Sequence, residues 1–339
     1  MAGFEENKNL KNLNTFGLEV FAQYYTEVTS LKDLQVLLKD PIYLHSKKLI
    51  LGGGSNILFT QDFDGLVIKN AIKGKEIVEE KGDTVVVKAG AGEIWHEFVM
   101  YCLDQNLGGL ENLSLIPGCV GASPMQNIGA YGIEIKDVFH SLTAIDLATG
   151  ETRTFNKHDC KFGYRESVFK HELKNKYIIV DVSYSLTKKH QLSTHYGAIS
   201  DELKKMEIAQ PSIKDVSNAV IAIRQSKLPD PKVMGNAGSF FKNPEVSSTQ
   251  YSELKLKFEN IVAYPLENGN YKLAAGWLIE QCGLKGHEID GAGVHTKQAL
   301  VLVNKNKATG RSIFDLSNYV LTKVFDKFGV RLEREVNII

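Results

Sequence analysis

The 339-residue chain lacks an excess of charge of either sign, because 40 lysines and arginines balance 40 aspartates and glutamates. A nucleic-acid-binding protein normally carries a basic excess, so we expect no nucleic-acid partner. No run of about 18 apolar residues is present, and residues 1–10 have no basic segment followed by an apolar one. These absences predict a cytoplasmic protein without a membrane partner.

Cysteine is also scarce, and none of the four cysteines lies in a CxxC pair or at zinc-ligand spacing. We therefore expect reduced, mostly buried thiols and no metal site. The chain is 43% hydrophobic, which at this length is enough for more than one core. Two or three subdomains are expected.

Two common motifs are incomplete. Gly52 and Gly54 begin a GxGxxG dinucleotide fingerprint, but Ile57 stands in place of its third glycine. The His-Glu pair at His96 lacks the second histidine of a zinc protease helix, because Met100 occupies that position. A standard Rossmann turn and a zinc protease are therefore excluded.

Periodicity and turn residues predict a mixture of helices and strands. Strands are predicted at 48–51, 57–59, 84–88, 176–186, 299–304 and 330–339, with a hairpin at 141–156. Helices are predicted at 93–107, 212–226, 247–258, 273–281 and 312–328. Ser212 and Asp215 resemble a capping box. The LPDP segment at 228–231 breaks the pattern and predicts a domain boundary.

Two glycine-rich segments are candidates for holding a large cofactor. The GGGSN turn at 52–56 follows an apolar strand and can present successive backbone N–H groups to a pyrophosphate. Residues 117–132, PGCVGASPMQNIGAYG, are small and poorly charged, which permits close approach of the backbone to a flat ligand. Each segment alone could equally be a structural turn.

The order of these motifs resembles a known family. The GGGSN turn, the AGAG segment at 89–92 and residues 117–132 resemble the FAD-binding module of vanillyl-alcohol oxidase type flavoenzymes. NTFG at 14–17, GYRES at 163–167, GNAGSFFKNP at 235–244 and AAGWLIE at 274–280 extend the resemblance to UDP-N-acetylenolpyruvoylglucosamine reductases. The loop at His195-Tyr196-Gly197 resembles that of the family's first type.

The resemblance implies an α+β fold, with a two-part FAD-binding PCMH-type domain followed by a smaller α+β substrate-binding domain. Residues 1–70 and 71–226 are the expected FAD-binding subdomains, and the second carries the Tyr196 loop. Residues 227–328 are the expected substrate-binding domain, and 329–339 a C-terminal strand that returns towards the active site. A monomer with non-covalent FAD is expected.

The reaction is also implied by the resemblance. NADPH is the co-substrate that reduces FAD, and the enolpyruvyl group of UDP-N-acetylglucosamine enolpyruvate is then reduced to give UDP-N-acetylmuramate. Ser239 matches the proton donor, and Arg165 matches a cation that stabilises the carboxylate. Glu335 matches a second stabilising group, acting as a protonated acid or through a water. A serine hydroxyl is a weak acid, so this role requires a dry site.

Binding residues are carried over from the family in the same way. The expected cofactor positions are Gly52, Gly53, Gly54, Ser55, Asn56, Pro117, Gly118, Gly121, Ala122, Ser123, Asn127, Gly129 and Arg224. The expected substrate positions are Tyr131, Tyr196, Lys227, Asn243 and Gln298. Lys227 and Asn243 are expected at the diphosphate of UDP or the phosphates of NADPH, and Tyr196 covers that diphosphate. Gln298 is expected at the sugar or carboxylate end.

Two other functions stay open at this point. An FAD oxidase or dehydrogenase acting on a small alcohol or hydroxy acid would explain the first half of the chain, but not GNAGSFFKNP or Glu335. A catalytically silent flavin or nucleotide-sugar binding protein would be expected to have lost at least one of Arg165, Ser239 and Glu335.

Overall fold

A computed structural model describes residues 3–305 and 307–339, and it combines helices and sheets throughout, which confirms the predicted α+β class. The chain forms two compact units, each discontinuous in sequence. Unit 1 comprises the residues up to Lys8, Ala22–Gly53 and Asp64–Ser226, and unit 2 comprises Asn9–Phe21, Gly54–Phe63 and Lys227–Ile339. The assignment of segments to FAD and to substrate stays a prediction.

The elements of the described residues are numbered along the chain. The strands are β1 (Glu5–Asn9), β2 (Phe21–Val28), β3 (Lys48–Leu51), β4 (Ile57–Leu58), β5 (Phe63–Asn70), β6 (Lys75–Lys81), β7 (Thr84–Gly90), β8 (Gly129–Ala130), β9 (Ile133–Glu134), β10 (Phe139–Asp146), β11 (Thr152–Asn156), β12 (Tyr177–Thr187), β13 (Gly235–Ser239), β14 (Glu245–Val246), β15 (Ala263–Pro265), β16 (Tyr271–Leu273), β17 (Glu288–Ile289), β18 (Ala292–Val294), β19 (Val301–Asn304) and β20 (Asn337–Ile338). The α-helices are α1 (Leu31–Leu37), α2 (Pro41–His45), α3 (Trp95–Asp104), α4 (Ile135–Val138), α5 (Lys157–Cys160), α6 (Gly197–Lys205), α7 (Ile213–Lys227), α8 (Ser248–Lys257), α9 (Ala275–Gln281) and α10 (Gly310–Phe328).

The larger sheet of unit 1 is antiparallel, in the order β11-β10-β12-β7-β6. Alternate residues of β7 and β12 point into one core, where Tyr184 meets Trp95 and Phe98 of α3 with ring centroids 5.8 and 5.1 Å apart. Cys102 is buried in the same core, and this burial raises the pKa of its thiol. All four cysteines are free and three are buried, as expected.

The second sheet of unit 1 has the order β1-β2-β5-β3, with β3 and β5 parallel and Leu49 opposite Val67. Its buried face packs against α1 and α2 through Leu34 and Tyr43. Because β3 ends at Leu51, this sheet places the following glycines, Gly52 and Gly53, at a strand terminus. The glycine-rich turn at 52–56 therefore follows directly from a strand that is paired in a sheet.

Helices α6 and α7 pack on each other through Ile199, Val216 and Val220. The start of α7 is the predicted capping box. The side chain of Asp215 accepts the N–H of Ser212 at 2.8 Å, and the hydroxyl of Ser212 accepts the N–H of Asp215 at 3.3 Å. The predicted helix at 212–226 is confirmed.

Unit 2 contains the sheet β13-β19-β18-β17, the sheet β14-β16-β15 and the parallel pair β4-β20. Residues 301–303 of β19 are fully buried, as are Ile313, Leu316 and Val320 on α10. Thr309 is the N-cap of α10, because its side chain accepts the N–H of Ser312 at 3.1 Å. Across residues 3–305 and 307–339, every helix is too short or too polar to cross a bilayer.

Three of the differences between predicted and observed boundaries have a clear structural reason. Helix α3 ends at Asp104, not at 107, because Asn106 adopts a φ of 58° and Leu107 donates its N–H to Cys102 O at 3.0 Å. Helix α9 begins at Ala275, since Leu273 belongs to β16. The strand predicted at 330–339 is limited to β20, which pairs with β4.

Candidate active site

The two glycine-rich segments predicted to hold the cofactor meet in unit 1. A Cβ built on Gly53 would lie 2.8 Å from the Cα of Gly118, and one on Gly52 would lie 3.8 Å from Cys119 Cβ. Real Cβ atoms do not approach backbone this closely, so only glycine fits at Gly53. The backbone of Gly53 therefore packs directly against the backbone of Gly118.

The AGAG segment lies against the same loop. The N–H of Gly121 donates to Ala91 O at 2.9 Å, and that of Val120 donates to Glu93 O at 2.9 Å. A Cβ on Gly121 would lie 2.5 Å from Ala91 Cβ, which explains the glycine there. Ala122 continues the turn, donating its N–H to Cys119 O at 3.0 Å.

The side chains of two predicted cofactor residues, Ser123 and Asn127, form hydrogen bonds with other groups of the protein. The hydroxyl of Ser123 lies 2.7 Å from Tyr184 Oη, and the N–H of Ser123 donates to Val120 O. Asn127 is fully buried, donating to Gly163 O and Glu134 Oε2 and accepting the N–H of Lys136. Both side chains shape the loop in this structure, and their contact with FAD stays a prediction.

Arg165 lies in a tight turn whose ends are paired, with Gly163 N–H donating to Glu166 O at 3.0 Å. Its φ of 56° is uncommon for a side chain with a Cβ. The guanidinium donates from Nη2 to Gly129 O at 2.7 Å, and Lys170 Nζ donates to Arg165 O at 2.9 Å. A strained, half-buried arginine held at both ends is typical of a functional position.

Tyr131, Tyr196 and Arg224 form a connected group in unit 1. The rings of Tyr131 and Tyr196 make an edge-to-face contact with centroids 5.5 Å apart. Arg224, on α7, donates from Nε to Leu115 O at 3.2 Å, and its charge acts on the phenol of Tyr131. Burial lowers the pKa of Arg224 and raises that of Tyr131. Tyr196 immediately precedes α6 and is 43% exposed.

In unit 2 the loop at 14–17 connects two other motifs. Thr15 donates its N–H to Gly54 O at 3.1 Å and accepts the N–H of Asn236 at its carbonyl at 3.0 Å. Asn14 fixes the loop by binding the backbone of Leu10 and Leu18. A Cβ on Gly54 would lie 2.0 Å from a backbone oxygen, so that position also requires glycine.

Ser239 and Glu335 are brought to one place in unit 2. Strand β13 carries a bulge between Asn236 and Ser239, where Gly238 has a φ of 68°. A bulge redirects the following side chain, and Ser239 is exposed. Glu335 donates its N–H to Phe240 O at 2.9 Å, and Asn56 Nδ2 donates to Glu335 O at 3.2 Å.

The remaining predicted substrate residues also lie in unit 2. Asn243 accepts the N–H of Ala275 at 3.0 Å, which caps α9. Gln298 lies in the turn before β19, where its N–H donates to His295 Nδ1 at 3.3 Å. Lys227, the last residue of α7, is exposed. Ser55 and Pro117, half-buried and exposed respectively, complete the predicted cofactor positions.

The residues present fit FAD. Among the described residues, the N–H of Gly53 has no hydrogen-bond acceptor, and neither Gly52, Gly53 nor Gly118 carries a side chain. Such N–H groups suit a pyrophosphate, and small residues suit a flat ring system. Gly52, Gly53 and Gly118, with the neighbouring Arg224, would hold the group.

Comparison with known proteins agrees with this geometry. The model of an FAD binding domain matches residues 22–156, and the model of the UDP-N-acetylenolpyruvoylglucosamine reductase C-terminal domain matches residues 230–339. The chain is 53% identical to the UDP-N-acetylenolpyruvoylglucosamine reductase of Flavobacterium johnsoniae, over 99% of both chains. It is 49% identical to that of Chromobacterium violaceum, over 98% of each.

A solved structure supports the fold independently. The UDP-N-acetylenolpyruvylglucosamine reductase of Thermus caldophilus matches with a TM-score of 0.69 and 21% identity, over 100% of this chain and 98% of that one. Fold and site define an FAD-dependent oxidoreductase. More narrowly, the chain belongs to the UDP-N-acetylenolpyruvoylglucosamine reductase family, as the sequence motifs predicted.

The sequence reasoning missed His96 and Asn14. The sequence showed His96 only as part of an incomplete zinc motif. Its Nδ1 accepts the N–H of Leu115 at 3.0 Å, just before the glycine-rich segment at 117–132, here called the glycine loop. Asn14 was named only as part of the NTFG motif. Its side chain binds the backbone of the loop at 14–17, which hydrogen-bonds to Gly54 and Asn236. No local pattern reveals either role, because each depends on partners elsewhere in the chain.

Proposed function

We propose that this chain reduces UDP-N-acetylglucosamine enolpyruvate to UDP-N-acetylmuramate, with NADPH as the electron source, as a cytoplasmic monomer. Bound FAD would supply the hydride transfer from NADPH to the methylene carbon of the enol ether. The family membership supports the substrate. The preference for NADPH over NADH follows from the family resemblance.

The observation that carries the proposal is the hydrogen bond from the backbone N–H of Glu335 to the backbone oxygen of Phe240. It holds the carboxylate-bearing residue beside the residue that follows Ser239. A hydroxyl redirected by a bulge and a carboxyl group from a segment about 100 residues later in the sequence are thereby held at the end of one strand. A simple flavin-binding protein has no need of this pairing.

Ser239 is proposed to supply the proton. Hydride addition to the methylene carbon leaves negative charge on the adjacent carbon and its carboxylate. The Oγ–H bond of Ser239 breaks as a C–H bond forms at that carbon, and the serine regains its proton from solvent after release of product. Because Ser239 is exposed, bound substrate has to exclude water from it.

Arg165 and Glu335 are proposed to stabilise the charge that develops on the substrate. A guanidinium matches a carboxylate with two parallel hydrogen bonds, and its positive charge offsets the enolate. The turn that holds Arg165 at a positive φ fixes the guanidinium before substrate arrives, so little reorganisation is needed. Glu335 assists as a protonated acid or through a water.

The substrate's nucleotide end is proposed to contact Lys227, Asn243 and Tyr196. The amide oxygen of Asn243 is used to cap α9, which directs the role of phosphate donor to its Nδ2. Tyr196 is exposed and can cover the diphosphate. Tyr131, packed edge-on against Tyr196, supports it, and Gln298 holds the sugar or carboxylate end.

A single assay tests the proposed activity. The purified protein should be yellow, and NADPH oxidation should be fast with UDP-N-acetylglucosamine enolpyruvate and slow with UDP-N-acetylglucosamine, which lacks the enol ether. NADH in place of NADPH measures coenzyme preference, and oxygen uptake with small alcohols measures oxidase activity. Oxidation that does not depend on the enolpyruvyl substrate would overturn the proposal.

A further inference from the structure

The segment leading into the glycine loop contains a strained residue. Leu115 has a φ of 58°, a conformation that L-residues with a Cβ avoid. Left-handed backbone is unfavourable for such a residue because its Cβ lies too close to the following carbonyl oxygen. A conformation of this kind persists when the surrounding structure fixes it.

Both backbone polar groups of Leu115 are bound by side chains. Its N–H donates to Nδ1 of His96 at 3.0 Å, and its carbonyl accepts from Nε of Arg224 at 3.2 Å. His96 lies in the first turn of α3, whereas Arg224 is on α7. Two helices therefore hold the two peptide groups on either side of the Leu115 Cα.

The residue before His96 holds the rest of the segment. Trp95 donates from Nε1 to Leu113 O at 2.8 Å and from its backbone N–H to Gly118 O at 3.0 Å. The start of α3 thus binds residues 113, 115 and 118, and Gly118 is the residue whose backbone packs on Gly53. The position of the glycine loop is set from this helix end.

We propose that His96 is a positioning residue for the FAD-binding loop, acting through its neutral imidazole, whose Nδ1 accepts the Leu115 N–H. This inference rests on FAD binding by unit 1, and is independent of the proposed chemistry with NADPH and the enolpyruvyl substrate. An Nδ1 that accepts a hydrogen bond has no proton, so the proton of the ring is on Nε2. Protonation of Nδ1 breaks the bond to Leu115.

The surroundings of His96 favour the neutral form. Burial lowers the pKa of His96, and the guanidinium of Arg224 on α7 lowers it further, while Glu97 on α3 opposes this shift. The loop contributes the N–H of Leu115, and the phenol of Tyr131 interacts with the charge of Arg224. Since the folded pKa is below the unfolded one, this contribution to stability is complete above about pH 6.5. It is lost as the pH falls from there through the folded pKa.

Matched substitutions separate a hydrogen-bonding role from simple packing. In His96→Asn the amide oxygen replaces Nδ1 as acceptor and does not titrate, whereas His96→Gln places its oxygen near the position of Nε2. His158→Asn, at an exposed position on α5, is the control. The readout is the FAD dissociation constant of apoprotein, from quenching of flavin fluorescence at pH 7.5 and 5.5.

At pH 7.5 we expect FAD binding about tenfold weaker in His96→Gln, and within about twofold of wild type in His96→Asn and His158→Asn. At pH 5.5 wild type and His158→Asn should weaken several-fold more than His96→Asn. Equal affinities and equal pH dependence in all four proteins would overturn the proposal. If His96→Gln fails to fold, a ring nitrogen NMR spectrum of wild type decides, because a proton on Nδ1 at neutral pH contradicts it.

Discussion

Gly53 and Gly118, separated by 65 positions in the sequence, meet backbone to backbone, with no room for a Cβ on Gly53. Gly53→Ala must therefore push the two loops apart. We expect FAD affinity to fall about tenfold or more, because such overpacking costs about 1–3 kcal/mol. Flavin fluorescence titration of apoprotein measures the change. Gly3→Ala, where a Cβ meets no atom within 4 Å, is the control and should bind like wild type.

Arg165 is predicted to act through its fork of donors and not through charge alone. Arg165→Lys keeps the charge but loses the bidentate geometry, so kcat with the enolpyruvyl substrate should fall about a hundredfold. Arg153→Lys, at an exposed arginine of the same unit, should leave kcat unchanged. Steady-state kinetics at saturating NADPH measures both, and a full-rate Arg165→Lys enzyme would show that charge suffices.

Asn243 combines a structural and a proposed binding role that substitution can separate. Asn243→Ala removes the acceptor for Ala275 N–H, so stability should fall by about 1 kcal/mol. Asn243→Asp keeps an acceptor for the helix, but its charge repels a diphosphate. Its urea unfolding should match wild type while KM for the UDP substrate rises about tenfold. An unchanged KM in Asn243→Asp would remove Asn243 from the phosphate site.

The buried pair of Ser123 and Tyr184 predicts non-additive stability effects. Tyr184→Phe leaves the Ser123 hydroxyl without its partner in the core, at a cost of about 1–3 kcal/mol. In a Ser123→Ala background the same change removes both partners and should cost less. Urea unfolding of the four proteins measures this coupling. Equal effects of Tyr184→Phe in both backgrounds would mean that the hydroxyl pair contributes nothing.

The sequence predicted those elements well whose pattern involves only residues that are close to one another in the sequence. Ser212 and Asp215 predicted a helix start, and apolar alternation predicted the strand β12. Both predictions were confirmed. The predicted strand at 330–339 was wrong over most of its length because alternation cannot show whether a partner strand is present. Asn337–Ile338 pairs with β4 as a strand, and the segment before it forms an isolated bridge between Arg334 and Phe241.

The sequence motifs predicted which residues belong to the candidate site, but not the contacts between them. Family motifs identified Ser239 and Glu335, but nothing in either segment indicates that Glu335 binds the backbone of Phe240. The strain at Leu115 was equally hidden, because a leucine gives no sign of left-handed backbone. Contacts between distant segments determine both features, and one sequence does not reveal them.

The central claim is that Ser239 protonates the reduced substrate, and Ser239→Ala in stopped flow tests it most directly. Flavin reduction by NADPH, followed through loss of flavin absorbance, should stay within about twofold of wild type. Reoxidation by UDP-N-acetylglucosamine enolpyruvate should slow by about a thousandfold or more, as loss of a general acid predicts. If both half-reactions slow equally, or if reoxidation keeps its wild-type rate, Ser239 is not the proton donor.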